Sequence, residues 1–345
     1  MEQLYKMAVI KDVANLAGVS VSTVSKYFNN PSGLSEPYKT MVAKAVEELN
    51  FTPNAMARGL RTKRTNTIAL IVPDITNSFY ADVYNHIRSA ATSKGFTTQL
   101  YTSEENVNVL SDILSQLTPV KVDGIIIAFL DEDEIMTQLA AAQTNIPITL
   151  MSWDLDNQFS SVILNLHSTI YRSTKYLIDH GHERIAYISG IASSRISQEK
   201  FSGFKKAMSE AGYKVPDEYV YHGKYLFRTG YQAAKQFMML EEPPTAVVAA
   251  NDILAIGCCK YLGSHGYRIP YDVSVTGMDG VQLAYIYDPS ITTMAMPTEE
   301  MCREVVEMLS NKIDKPGSKN RQTIYEANLV IGRSTSAAAP LHLDF

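Results

Sequence analysis

The sequence predicts an α/β architecture with a small helical head at the N-terminus and a body of two doubly wound parallel-sheet lobes. Three observations predict it. The first 50 residues carry helical apolar spacing with stop and restart signals. From Thr67 short apolar runs alternate with helix-length segments, and this alternation occurs twice, about 120 residues apart. A chain of 345 residues with 46% hydrophobic content can bury more than one core, which fits two or three domains.

In the head, Ile10, Val13, Ala14 and Ala17 recur at helical spacing, and Gly18 supplies the left-handed position at which a helix ends. Ser20 fits as N-cap of a second helix whose inner side is Val24 with Tyr27 or Phe28. Two short helices crossing at a tight turn, with small Ala14 at the contact, make a helix-turn-helix. The outer face of its second helix is then Val21, Ser22, Ser25, Lys26 and Asn29, where hydroxyls, a cation and an amide can reach phosphates and base edges. A solvated face of an ordinary helical hairpin is the alternative. A third helix follows in "LSEPYKTMVAKAVEELNF", capped by Ser35, with Pro37 in its first turn and Met41, Val42, Ala45, Val46 and Leu49 inward.

The stretch "TPNAMARGLRTKRTNT" has Asn54 as cap of a hinge helix of about two turns, too short to stand alone and weakened by Gly59. Arg58, Arg61, Lys63 and Arg64 around Leu60 suit a minor groove opened by an apolar wedge, or else a charged linker. Charge agrees with a DNA-facing head. Of 31 Lys/Arg and 36 Asp/Glu, nine and five lie before residue 67, leaving 22 against 31 for the body.

The body's apolar runs are "IALIV", "TTQLY", "VDGIIIAF" and "IPITLMSW", then "RIAYIS", "YVYHG", "TAVVAAN" and "VSVTGM". A late helix, "TEEMCREVVEMLSNKI", and the run "QTIYEANLVIG" should cross back and tie the lobes together. In doubly wound sheets ligands sit beyond the carboxyl ends of strands. The residues there are Asp74 with Phe79 and Tyr80, Ser152 with Trp153 and Asp154, Tyr225, Asn251 with Asp252, and Asp279. Carboxylates and amides accept from or donate to paired hydroxyls, and aromatic rings cover the apolar face of a sugar or a base. Any one Asp or Asn after a strand could equally cap the next helix.

Other classes are excluded by what is missing. There is no GxSxG, GxxxxGK[ST] or HExxH, and "IVPDITNSF" offers no glycine-rich phosphate turn after the first strand, so an enzyme is not expected. Cys258, Cys259 and Cys302 make no CxxC spacing and read as core residues; no metal or cofactor is expected. "HGHER" (180–184) reads as a helix C-cap and "DEDE" (131–134) as a helix start. Without an export-type leader or an 18-residue apolar run, a cytoplasmic location is expected.

"IKDVANLAGVSVSTVSKYFNN", "FTPNAMARGLRTKRTNTIALIVPDITNSFYADV", "HGHERIAYISG", "VAANDILAIG" and "DVSVTGMDG" together resemble the lactose-repressor (LacI/GalR) family of bacterial transcription regulators, from about Val9 to Ser336. The resemblance implies a two-lobed, periplasmic-binding-protein-like body that closes on a small molecule. It implies a homodimer on pseudo-palindromic double-stranded operator DNA, nucleoid-associated when bound. Tyr84, Tyr285 and Tyr287 are candidates for the subunit contact. The implied DNA-binding residues are Lys11, Ser20, Val21, Ser22, Thr23, Ser25, Lys26 and Asn29, with Asn54, Ala57, Arg58 and the wedge Leu60 in the hinge. The implied effector-binding residues are Asp74, Phe79, Tyr80, Ser152, Trp153, Lys200, Tyr225, Asn251 and Asp279.

Four positions depart from the family. Lys200 replaces an arginine that grips the effector, and Ser152 replaces an aspartate. Lys26 replaces an arginine, and Val9 replaces a threonine whose hydroxyl cap contributes about 1 kcal/mol. The expected function is a transcriptional repressor controlled by a sugar or sugar derivative, with a protein corepressor of the catabolite-control type or a nucleobase as the alternatives. The expected domains are a head over 8–53, a hinge over 54–66, a first lobe over 67–164 with 292–324, and a second lobe over 165–291 with 325–345.

Overall fold

The computed structural model describes residues 8–51, 64–117, 121–130, 145–151 and 158–338. These fall into two compact units that divide between Thr65 and Asn66. The "DEDE" segment lies outside the described residues.

The head contains α1 (Ile10–Leu16), α2 (Val21–Asn29), a 3-10 turn at Pro31–Gly33 and α3 (Glu36–Glu48). Val9 has no hydroxyl, yet the start of α1 is not bare: the Asp12 carboxylate accepts the Val9 N–H at 2.8 Å. This offsets the cap that valine lacks. Asp12→Ala is therefore expected to weaken the head by about 1 kcal/mol. It should be read as roughly five-fold faster amide hydrogen exchange across 10–16 in the full-length chain.

Gly18 ends α1 at φ +63°, with Val19 N–H donating to the Ala14 carbonyl at 3.0 Å. No atom lies within 4 Å of where its Cβ would be, so the sign of φ alone demands glycine. Ser20 Oγ accepts the Thr23 N–H at 3.1 Å and starts α2. Val13, Val24 and Val42 are fully buried around small Ala14, Ala17 and Ala45, with Tyr27 and Phe28 both packed against them. Two positions, one expected inside and one outside, differ from expectation. Met41 is 45% exposed, because the one-sided apolar stripe of α3 runs through Val42 and Ala45. Ser25 is buried instead of facing outward, because α2 packs against both α1 and α3.

In the body, the first sheet has the order β11-β5-β4-β3-β1-β2 and is wholly parallel. Its strands are β1 (Thr67–Val72), β2 (Thr97–Thr102), β3 (Gly124–Ala128), β4 (Ile148–Met151), β5 (Ser160–Leu164) and β11 (Gln322–Tyr325). The second sheet repeats that plan as β12-β10-β9-β8-β6-β7. It comprises β6 (Ile185–Ser189), β7 (Val220–His222), β8 (Ala246–Ala249), β9 (Ser274–Asp279), β10 (Thr292–Ala295) and β12 (Asn328–Val330), the last antiparallel to β10. The near-continuous apolar runs are the signature of strands covered on both faces. The covering helices are α4 (Ser78–Ser93), α5 (Val107–Gln116), α6 (Leu166–Asp179), α7 (Arg195–Glu210), α8 (Phe227–Phe237), α9 (Asp252–Ser264), α10 (Gln282–Ile286) and α11 (Thr298–Asp314).

Thr292–Ala295, placed by the sequence in the first lobe, is a strand of the second sheet. The chain crosses back only after it, and α11 packs on β3, β4 and β5 of the first. It crosses again between β11 and β12. The first and third crossings are tied: Asn165 Oδ1 caps α6 at Ser168 N–H (3.0 Å), and its Nδ2 donates to Glu326 Oε1 (2.7 Å).

Among the described residues no helix is long and apolar enough to span a membrane, and no cluster of three or more His, Cys, Asp or Glu could hold a metal. The three thiols are buried, and burial pushes Cys258 up to about 12. His182 of "HGHER" is fixed between Thr245 Oγ1 (3.0 Å) and the Ser336 carbonyl (3.1 Å).

Candidate functional site

A cavity of about 440 Å³ lies where the carboxyl ends of both sheets face each other. The Asx turn that starts α4 builds its first-lobe wall. Asp74 accepts the Thr76 N–H and the Thr76 hydroxyl (2.8 Å), and Asn77 Oδ1 accepts the Phe79 N–H at 3.1 Å. Asp74 is thereby a turn residue and does not line the cavity, whereas Phe79 and Tyr80 do. Phe129, held at φ +61° just after β3, completes an aromatic cluster with ring centroids 4.9 Å from Phe79 and 6.1 Å from Tyr80. Burial pushes the Tyr80 phenol well above its usual range, so it stays a donor.

The second-lobe wall brings together Lys200, Tyr225, Asn251 and Asp279. Asn251 Oδ1 caps α9 at the Leu254 N–H (2.9 Å), which leaves its NH2 for the cavity. Lys200, 6% exposed, donates to the Ala250 carbonyl at 2.9 Å and sits 4.9 Å from the Tyr225 ring centroid. Asp279 ends β9 at φ +117°, a strained backbone for a residue with a Cβ. The residue is 8% exposed, and its carboxylate accepts no hydrogen bond from any described residue. Burial holds it well above the usual carboxylate range; the Lys200 charge opposes that and Asp252 reinforces it.

Asp252 is adjacent in sequence to Asn251 but faces away from the cavity. Its carboxylate accepts Gly280 N–H (2.8 Å), Val281 N–H (3.0 Å) and the Thr293 hydroxyl (2.6 Å). Burial raises it to about 7 against those three donors.

Ser152 and Trp153 lie outside the described residues, as do the hinge positions Asn54, Ala57, Arg58 and Leu60. Sequence reasoning missed Asn77, Phe129, Glu105 and Lys224, which also line the cavity. Phe129 was visible only as the bulky end of an apolar run. Glu105 and Lys224 form an ion pair of 2.8 Å from one lobe to the other. Glu105 and its neighbour Glu104 both have left-handed φ, +52° and +57°.

On the head, Lys11, Val21, Ser22 and Lys26 are exposed and Thr23 is half-buried. Ser20 is occupied as cap, and its hydroxyl also meets those of Ser22 (2.7 Å) and Thr23 (2.9 Å). Ser25 is turned inward, and the side chain of Asn29 lies outside the described residues.

Residues 9–54 match the family described as bacterial regulatory proteins, lacI family, and residues 65–332 match the periplasmic binding proteins and sugar binding domain of LacI family. The chain is 33% identical over 329 residues to the HTH-type transcriptional repressor PurR of Photobacterium profundum, covering 95% of this chain and 98% of that one. It is 36% identical over 315 residues to the PurR of Vibrio vulnificus, covering 91% and 94%. Among solved structures, a lac repressor dimer bound to operator and the anti-inducer ONPF is 25% identical, with a TM-score of 0.85 over 96% of this chain and all of that one. A CelR–cellobiose complex is 27% identical, with a TM-score of 0.71 over 95% and 99%. These relatives are regulators and not enzymes. With both of its domains matched, the chain belongs to the LacI family of DNA-binding bacterial transcriptional repressors.

Proposed function

We propose that this repressor is controlled by a nucleobase of the purine type and not by the sugar expected from the sequence. The observation that carries this is the balance of the cavity wall. Phe79, Tyr80, Phe129 and Tyr225 supply four aromatic rings, with Leu130, Leu164, Ile191, Ile196, Met278 and Met296 beside them. Several polar groups there are engaged: Asn77 and Asn251 each spend the amide oxygen on a helix cap, Lys200 holds a carbonyl, and Glu105 pairs with Lys224. A sugar with hydroxyls around its whole rim would leave several unpaired, at roughly 1–3 kcal/mol each. A flat heterocycle needs only its faces covered and a few edge groups met. The Asp279 carboxylate would accept a ring N–H, and the NH2 of Asn251 would donate to a ring carbonyl or nitrogen. The relatives named PurR, a name that refers to purines, support this ligand class, while the complexes with cellobiose and ONPF come from more distant family members.

The head would grip operator DNA through Val21, Ser22 and Lys26 in the major groove, with Lys11, Ser20 and Thr23 on phosphates. Leu60 with Asn54, Ala57 and Arg58 would engage the minor groove. Homodimerisation is supported by the exposed Leu283, Tyr285 and Ile286 on α10 and by the operator-bound lac repressor dimer. Calorimetric titration of the full-length protein with guanine, hypoxanthine, ribose, glucose and cellobiose tests the ligand class. Saturable binding of a purine with no heat from the sugars is expected. Binding of a sugar alone would restore the carbohydrate reading.

A further inference from the structure

The Tyr225 ring in the cavity wall is held by Lys200 and by two residues, Gly190 and Ser197, that bear no mark of ligand binding in the sequence. Gly190 follows directly on β6. A Cβ built there would stand 2.3 Å from Tyr225 Cζ, 2.5 Å from its Cε2 and 2.4 Å from Ser197 Oγ. Its backbone is not left-handed, so glycine is needed here for space and not for conformation. Ser197, on the first turns of α7 and 1% exposed, has its hydroxyl 3.0 Å from the Tyr225 phenol. Lys200, one turn further along α7, places its ammonium 4.9 Å from the ring centroid while anchored on the Ala250 carbonyl. Backbone at 190, hydroxyl at 197 and cation at 200 thus all meet the ring, which also lines the cavity.

We propose that Gly190 and Ser197 are positioning residues for the effector: they hold the Tyr225 ring back against the end of β6 and so set how deep a flat ligand can enter. This rests on the reading of the cavity as a nucleobase site. A methyl group at 190 would displace the ring and turn the Ser197 hydroxyl aside, and the displacement proposed is toward the cavity that the ring lines. The side chain at 190 never touches the ligand. Losing the hydroxyl at 197 would instead free the phenol end of the ring and let it swing.

The test is a double-mutant cycle in the full-length protein with guanine as the probe. Gly190→Ala is expected to weaken guanine binding by about 10- to 100-fold, the binding equivalent of an overpacked contact. In a Tyr225→Ala background the same change is expected to cost less than about threefold, since no ring is left to displace. An equal loss in both backgrounds would make Gly190 a matter of strand integrity and overturn the proposal. Should Gly190→Ala fail to fold, folding of the Gly190→Ala/Tyr225→Ala protein supports the ring clash, and its failure overturns it. A crystal structure of Gly190→Ala decides independently of any ligand. A ring displaced into the cavity with the Ser197 contact broken is expected, and an unmoved ring is the opposing result. If the unmutated protein binds neither guanine nor hypoxanthine, the nucleobase reading falls and the crystal structure alone judges Gly190.

Discussion

Asp252→Ala is expected to destabilise the body by about 3–5 kcal/mol, whereas Asp252→Asn is expected to cost under about 1 kcal/mol. The alanine leaves the backbone N–H groups of half-buried Gly280 and buried Val281, and the Thr293 hydroxyl, without the acceptor that now serves all three. An asparagine keeps an oxygen for the two N–H groups and turns an NH2 toward Thr293, whose hydroxyl then accepts. The same pair of variants carries a pH signature. Burial raises the Asp252 carboxyl from 3.8 to about 7, so the folded state holds a proton that the unfolded chain has released. The stability contributed by that proton is fully present below about pH 4 and is lost as pH rises through about 7. The asparagine variant has no such group, so between pH 5 and pH 8 it should gain on the unmutated protein in denaturant midpoint. A variant that tracks the unmutated protein at both pH values would mean that the three donors keep Asp252 ionised throughout.

That role for Asp252 was not legible in the sequence, for a physical reason. Asp74, Asp252 and Asp279 all follow apolar runs and look alike along the chain. What separates them is which donors arrive from elsewhere. Asp74 meets the N–H two residues on and becomes a turn. The donors of Asp252 lie 28, 29 and 41 residues away. Asp279 receives none among the described residues, and only it faces the cavity. The repeated sheet plan was readable because strands covered on both faces must be apolar almost throughout, as "IALIV" and "TAVVAAN" are. β5 and β10 escaped that reading because Ser160, Ser161, Thr292 and Thr293 are buried polar residues. Thr292, for example, spends its hydroxyl on Thr335 (2.7 Å) and Gly332 N–H (3.0 Å), partners that only the folded chain supplies. In the head, helical periodicity identified the core but placed Met41 and Ser25 on the wrong side of their helices. Each lies one position, about 100°, from a fully buried valine. The ligand class is not legible in the sequence for a related reason: aromatics and carboxylates near strand ends suit a sugar and a base alike.

Asp279→Asn should move stability and binding in opposite directions. At φ +117° with a buried carboxylate that no described donor meets, Asp279 is costly to the unliganded fold. The nearby Lys200 charge offsets part of that cost, but its ammonium is already committed to the Ala250 carbonyl. Replacing the carboxylate by an amide removes the desolvated charge and should raise the denaturant midpoint, by about 1 kcal/mol in free energy near pH 8. The sign follows from linkage. The folded carboxyl titrates well above 3.8, so its penalty grows as pH rises toward that value, and the gain on removing it grows likewise. The ligand loses by the same change. A charge-assisted hydrogen bond contributes roughly 1.5–3 kcal/mol, so purine affinity should fall by about 10- to 150-fold. Such a reversal is the mark of a residue strained for its ligand and not for its fold. A variant that loses stability and purine affinity together would instead assign Asp279 to the structure of the second lobe, and the ring N–H would need another acceptor in the cavity.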